Sequence, residues 1–185
     1  MKMKWLQHIS LSLFLIGALL VSTTGFTSIF QADSTGAASE TSVTVITVEG
    51  AIGPTTTNYI RRGLETAIER NDEALIIEMD TPGGLLTSTQ DIVQLMLASN
   101  MPIAVYVTPP GGNAGSAGTF ITLAGHIAAM APTTTIGAAS PVSMGGGQQD
   151  TVMQKKIFNY SESFIENIAK KRDRNAEWAR SAVRD

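Results

Sequence analysis

The segment Ala74–Gly84, with the sequence ALIIEMDTPGG, contains the clearest indication of the fold class. Its apolar start, Ala74–Met79, predicts a buried strand. Asp80–Gly84 follows directly as a turn, because Pro then Gly suits the two central positions of a type II turn. Leu85–Ser99 then carries apolar residues at helical spacing. A strand, a tight turn and a helix in succession form the unit from which α/β folds are built.

The same alternation of strand and helix continues on both sides of this segment. Short apolar or β-branched runs predict four more strands, and amphipathic or apolar runs predict three more helices. The strands are Val43–Val48, Ile103–Val107, Ile127–Met130 and Thr134–Ile136; the helices are Thr55–Arg70, with N-caps within Thr55–Thr57, Ser116–Gly125 and Lys156–Arg172. We therefore predict an α/β fold with a largely parallel sheet that helices cover on both faces.

Composition excludes several kinds of chemistry. The 185 residues include no cysteine and carry a net charge of −3. Without cysteine there is no disulfide, thiolate nucleophile or Cys-ligated metal, and the two histidines form no convincing metal cluster. The negative charge disfavours nucleic acid as a partner. We therefore predict no metal, no cofactor and no nucleic-acid binding.

The N-terminus has the pattern of a targeting segment. Two lysines precede an apolar run, Ile9–Val21, that is shorter than the roughly 20 residues of a membrane-spanning helix. Residues 1–25 are predicted to be a signal peptide or a membrane anchor, and residues 26–42 a flexible linker rich in Ser, Thr, Ala and Gly. Residues 43–185 would then form one folded domain outside the cytoplasm.

The middle of the chain is nearly free of charge. Between Thr81 and Asp150 the only charged side chains are those of Asp91 and Asp150. A water-facing surface of that length normally carries many more, so this region is predicted to be core or to be covered by another subunit. We expect a homo-oligomer with part of Leu123–Met153 at the contact.

Two glycine-rich turns are candidates for the functional site. Gly83 and Gly84 follow a strand and open a helix, where backbone N–H groups could hold an oxyanion. Ser116 lies in Gly111–Gly118, after the next strand, and small neighbours would let a substrate approach its hydroxyl. Residue 114 is Ala, so the Gly-x-Ser-x-Gly motif is not met. Each turn alone is also typical of an ordinary loop, but open α/β sheets place their sites at these strand ends.

A nucleophilic serine needs a proton acceptor, and few follow Ser116. His126 lies in an apolar run and fits a core or edge histidine better. On a helical wheel Lys155 falls between Glu162 and Glu166 on the solvated side, whereas Lys156 falls near Tyr160 and Phe164 at the border of the apolar face. Desolvation there would favour the neutral lysine that can act as a base. A solvated helix start is the alternative interpretation of the pair.

The order of these motifs resembles a known family. The chain is similar, from about Val43 to Asn175, to the protease domain of NfeD-type membrane serine proteases of the Clp protease and crotonase superfamily. The similar segments are Val45–Gly50, Met79–Gly84, Ala114–Ile121, Met130–Pro132, Ile136–Val142 and Lys156–Tyr160. The resemblance implies a Ser-Lys dyad of Ser116 and Lys156, oxyanion donors at Gly83 and Gly84, and a partial member that ends before the family's membrane helices and β-barrel.

The resemblance also implies a function. We expect a membrane-associated serine endopeptidase that cleaves apolar segments of membrane-associated proteins and has stomatin-like membrane partners. A non-catalytic membrane scaffold is one alternative. A crotonase-like acyl-CoA enzyme is a weaker one, because the stretch from Thr81 to Gln154 contains no Arg or Lys to bind CoA.

Overall fold

A computed structural model describes residues 41–141 and 151–184. The strands are β1 Val43–Glu49, β2 Ala74–Asp80, β3 Ile103–Val107, β4 Asn113–Gly115, β5 Ile127–Met130 and β6 Thr135–Gly137. The helices are α1 Pro54–Glu69, α2 Leu86–Ala98, α3 Ala117–Ala124, α4 Thr151–Lys171 and α5 Ala176–Arg184. The predicted α/β fold is confirmed.

All the strand pairs are parallel. The main sheet has the order β1-β2-β3-β5, and β4 pairs with β6 in a second, two-stranded sheet. Because the strands are parallel, their carboxyl ends lie along one edge of the main sheet. The turns that follow β2 and β3 are therefore neighbours at that edge, as the sequence predicted.

Helices cover only one face of the main sheet in the described residues. Leu75, Ile77 and Val105 point to the covered face and are fully buried. On the other face, one row across the sheet joins Val45, Ile76, Ala104 and Ile127. Val45 is 51% exposed and Ile127 60% exposed. The prediction of cover on both faces is thus wrong for this part of the chain, although the strands have the apolar composition of doubly covered ones.

Three details of the helices differ from the predictions. The N-cap of α1 is Gly53, with Pro54 in the first turn, rather than a residue of Thr55–Thr57. Helix α4 begins at Thr151, before the lysine pair. Helix α5 was not predicted, although Asn175 marks its start by accepting a hydrogen bond from the Trp178 N–H over 3.0 Å. The short strand β4 was also missed, because Asn-Ala-Gly has low strand propensity.

The predicted N-terminal segments, 1–25 and 26–42, lie outside the described residues except for the last two positions. The hydroxyl of Ser42 donates to Asp72 over 2.5 Å, and its carbonyl accepts from the Glu73 N–H over 2.9 Å. The contacts of the folded domain therefore already include Ser42. Within residues 41–141 and 151–184, we find no helix with the length and apolar character that crossing a membrane requires.

Candidate active site

Ser116 occupies a sharp turn between a strand and a helix. β4 ends at Gly115, α3 begins at Ala117, and Ser116 between them has φ 49° and ψ −112°. A non-glycine residue rarely adopts a positive φ, and such strain concentrates at functional sites. A strand-to-helix turn with a strained serine is the architecture of a nucleophile elbow, which forms here although residue 114 is Ala.

Buried hydrogen bonds hold this elbow in place. The Ser116 N–H donates to the Gly137 carbonyl over 3.0 Å. The hydroxyl of Thr119, in the first turn of α3, lies 2.9 Å from the carbonyl oxygens of both Ala114 and Gly137. It also accepts from the Gly137 N–H over 3.1 Å. Thr119, which the sequence analysis did not identify, thus ties β4, β6 and α3 together beneath Ser116.

The predicted oxyanion turn packs directly against Ser116. A Cβ on Gly83, which has φ +119°, would lie 2.6 Å from the Ser116 Cβ. The Gly83 N–H donates to the Thr81 hydroxyl over 3.0 Å, so this N–H is already satisfied within the turn. The backbone of Gly84 lies against Ile52, where a Cβ would come within 2.1 Å of the Ile52 carbonyl oxygen. Only glycine fits at either position.

Ser116 lines a cavity of about 990 Å³. Much of its wall is apolar, formed by side chains that include Leu86, Phe120, Ile157 and Phe158; Gly84 also lines it. The first turns of α2 and α3 contribute to the wall and contain no acidic residue. Helix N-termini carry partial positive charge and N–H groups without intrahelical partners. The cavity therefore combines an apolar surface with donors suited to an oxyanion, including the N–H of Ala117.

The lysine pair is placed differently from the helical-wheel prediction. Lys155 lines the cavity together with Ser116, whereas Lys156 does not. The buried side of α4 includes Ile165 and Ile168, while Tyr160 is 46% exposed. At about 100° per residue, Lys156 lies nine positions before Ile165 and so on the opposite side of the helix. The helical-wheel prediction for Lys156 is wrong because it took Tyr160 and Phe164 as the centre of the apolar face of α4. Lys156 as the base stays a prediction that rests on the family resemblance.

His126 lies at an edge, as the sequence predicted. Its Nδ1 accepts a hydrogen bond from the Ile103 N–H over 3.1 Å at the start of β3. Burial lowers the pKa of His126, and the positive charges of Arg172 and Arg174 lower it further. It is not among the residues that line the cavity, so it is no partner for Ser116 here.

Comparison with known proteins identifies the family and the fold of the chain. The family model described as NfeD1b, N-terminal domain, matches residues 42–185. The chain is 40% identical over 143 residues to membrane-bound protease PH1510 of Pyrococcus horikoshii, covering 76% of the chain and 32% of that protein. It is 30% identical over 142 residues to membrane protein NfeD1b of Bacillus subtilis, covering 77% of the chain and 31% of that protein. The chain thus spans about a third of the length of these relatives.

Two solved structures resemble it closely. One is the 1510-N membrane-bound stomatin-specific protease as a serine-to-alanine mutant, with 37% identity and a TM-score of 0.70 over 77% of this chain and 70% of that one. The other is a lysine-to-alanine mutant of that protease in complex with a substrate peptide, with 37% identity and a TM-score of 0.71 over 78% and 67%.

The chain therefore has the Clp/crotonase-like fold, in which its parallel sheet carries the strand-to-helix elbow described above. It belongs to the family of NfeD1b N-terminal domains, as the sequence motifs predicted.

Proposed function

We propose that this chain is the catalytic domain of a membrane-associated serine endopeptidase. One observation carries the proposal: Ser116 sits at a strained elbow, packed against the Gly83 turn, and opens into a cavity that a lysine also lines. A serine that only caps a helix has no need of positive φ. The protease activity named for the Pyrococcus horikoshii relative, and the serine and lysine mutated in the solved 1510-N structures, support the same function.

In the proposed mechanism, the Ser116 Oγ attacks the peptide carbonyl carbon while a lysine Nζ takes the hydroxyl proton. The lysine then returns that proton to the leaving amine, and water later hydrolyses the acyl-enzyme. The sequence motif favours Lys156 as this base, and the cavity wall favours Lys155. The oxyanion is held at the Gly83-Gly84 turn by the Gly84 N–H, because Gly84 lines the cavity while the Gly83 N–H is already bonded to Thr81, and the Ala117 N–H is a further donor.

The proposed substrates are apolar segments of membrane proteins. The wall beside Ser116 is formed by Leu86, Phe120 and Phe158, which would gain free energy by burying an apolar side chain. The relative named as a stomatin-specific protease points to stomatin-like membrane proteins as partners. Membrane association, an extracytoplasmic location and self-association complete the proposal.

A serine-reactive phosphonate tests the nucleophile. We expect it to label Ser116, as shown by peptide mapping, and Ser116→Ala to lower hydrolysis of an apolar peptide by at least about 1,000-fold. Ser161→Ala is the matched control, because Ser161 also lines the cavity but lies on α4 away from the elbow. Equal turnover by the parent and Ser116→Ala, or labelling at Ser161, would overturn the proposal.

A further inference from the structure

Two arginines bind the C-terminal ends of α2 and α3, the two helices whose first turns line the cavity. Arg172 follows the last residue of α4, and its Nε donates to the Ala124 carbonyl over 2.8 Å. Its Nη2 donates to the Met96 carbonyl over 3.1 Å. The Nη1 of Arg174 donates to the carbonyls of Leu123 and Gly125, over 2.6 and 2.9 Å. We call Arg172 and Arg174 the carbonyl clamp.

All four carbonyls belong to the C-terminal ends of two helices. Met96 is in the last turn of α2, and Leu123, Ala124 and Gly125 are at the end of α3. Such carbonyls have no intrahelical partner and carry partial negative charge, so guanidinium groups are favourable there. Neither arginine forms an ion pair with a carboxylate in the described part of the chain. Both guanidinium groups are thus bound by backbone carbonyls.

The clamp joins the helices that carry the two halves of the proposed dyad. α3 begins directly after Ser116, and the first turns of α4 contain the lysine pair. Between cavity and clamp, α3 and α4 also meet through the stacked rings of Phe120 and Phe164, whose centroids are 5.6 Å apart. Stacked rings tolerate sliding, whereas hydrogen bonds to carbonyls fix the position along the helix axis.

We infer that Arg172 and Arg174 are positioning residues, which set how far α4 reaches toward Ser116 and thereby align the lysine with the serine. This inference rests on the proposed peptidase function for its kinetic consequence, but its structural consequence can be measured without any activity. Misplacement of a catalytic group by about 1 Å can cost about 100-fold in rate. Loss of a clamp residue should therefore reduce kcat far more than it changes KM.

Spin labels provide the structural measurement, because the chain has no cysteine of its own. One label is placed at Met153→Cys, in the exposed first turn of α4, and the other at Arg61→Cys, on the exposed side of α1. In the parent we expect a narrow distance distribution between the labels. Arg172→Met and Arg174→Met, each made separately, should broaden or shift it, and Arg172→Lys and Arg174→Lys should restore it in part.

Arg180→Met is the matched control. Arg180 is also a partly buried arginine, but it pairs with Glu162 over 3.0 Å and joins α4 to α5 rather than to α3. It should lower the unfolding temperature without changing the distance distribution. Each clamp variant should lower kcat by about 100-fold in the unlabelled protein. Folded clamp variants with the parent's distances and kcat would overturn the inference. An inactive parent with label distances that shift as expected would overturn the peptidase proposal and leave the clamp supported.

Discussion

The residues around Ser116 are buried and bonded to one another, whereas those around the lysine pair are exposed. Gly115 and Ala117 are buried, and the elbow is fixed by Gly137 and Thr119. Residues 151–156, by contrast, are all exposed at the start of α4. The proposed nucleophile is therefore held by tight local packing, while the position of the proposed base depends on the rotation and axial position of a long helix.

Substitution of each lysine in turn identifies which of Lys155 and Lys156 is the base. If the motif is right, Lys156→Ala should lower peptide hydrolysis by about 1,000-fold or more, since members of a catalytic unit act together, and Lys155→Ala should be mild. The measurement is kcat/KM of the two variants side by side on one apolar peptide.

The reverse result, an inactive Lys155 variant with an active Lys156 variant, would establish that the cavity wall identifies the base better than the motif does. If both variants keep the parent's rate, neither lysine is the base and the dyad is wrong.

The packing of Gly83 against the elbow leads to the second prediction. In Gly83→Ala the new Cβ cannot remain 2.6 Å from the Ser116 Cβ, so the serine must move. We expect a loss of about 100-fold in kcat/KM. Gly111→Ala is a matched control because Gly111 also has positive φ, +86°, but its Cβ would meet no atom within 4 Å. Both variants should lose stability by about 1 kcal/mol or more through backbone strain. If Gly83→Ala and Gly111→Ala have equal kcat/KM, the close packing of residue 83 against Ser116 is not important for activity.

The sequence predicted the surroundings of Ser116 better than those of the lysine pair for a physical reason. Small residues in Gly111–Gly118 and in Gly83-Gly84 are visible because only such residues permit close backbone approach. The role of Thr119 was not visible, because it depends on the pairing of β4 with β6, which brings Gly137 to Thr119 from 18 positions away in the sequence. The wheel error had a similar cause. Which side of α4 is buried depends on its contacts with the rest of the fold, and an exposed Tyr160 looks like a core residue in the sequence.

Thr119 offers a smaller and more local test. Thr119→Val removes the hydroxyl that bonds the Ala114 carbonyl and accepts from the Gly137 N–H, and the loss of these two hydrogen bonds should cost about 1–3 kcal/mol of unfolding free energy. Thr119→Ser keeps the hydroxyl and should therefore retain most of this unfolding free energy. Thr122→Val is the control in the same helix, because the buried Thr122 hydroxyl has no partner among the described residues. Denaturant unfolding measures all three. A Thr122 variant as unstable as the Thr119 variant would rule out the hydrogen bonds as the cause.

Buried and exposed regions also differ within the stretch that lacks charge. Helix α3 and strand β5 are both apolar and adjacent in sequence, yet every residue of α3 is buried and every residue of β5 is exposed. Part of the predicted subunit contact, Leu123–Met153, is therefore core of one subunit, and residues 142–150 of it lie outside the described residues. The exposed part that remains includes Ile127 and Met130, on the outermost strand of the main sheet.

If the domain self-associates through β5, Ile127→Lys should weaken the association and leave the fold intact. A charge on an exposed edge strand opposes pairing with another chain, and a surface substitution usually changes stability by less than about 0.5 kcal/mol. Sedimentation of the domain across a concentration series measures the association. Val45→Lys is the control, since Val45 is equally apolar and 51% exposed but lies on β1, at the opposite edge of the sheet. A parent that stays monomeric at tens of micromolar would show that these exposed residues do not bind a second copy. An oligomer that only Val45→Lys disrupts would place the contact on β1 instead.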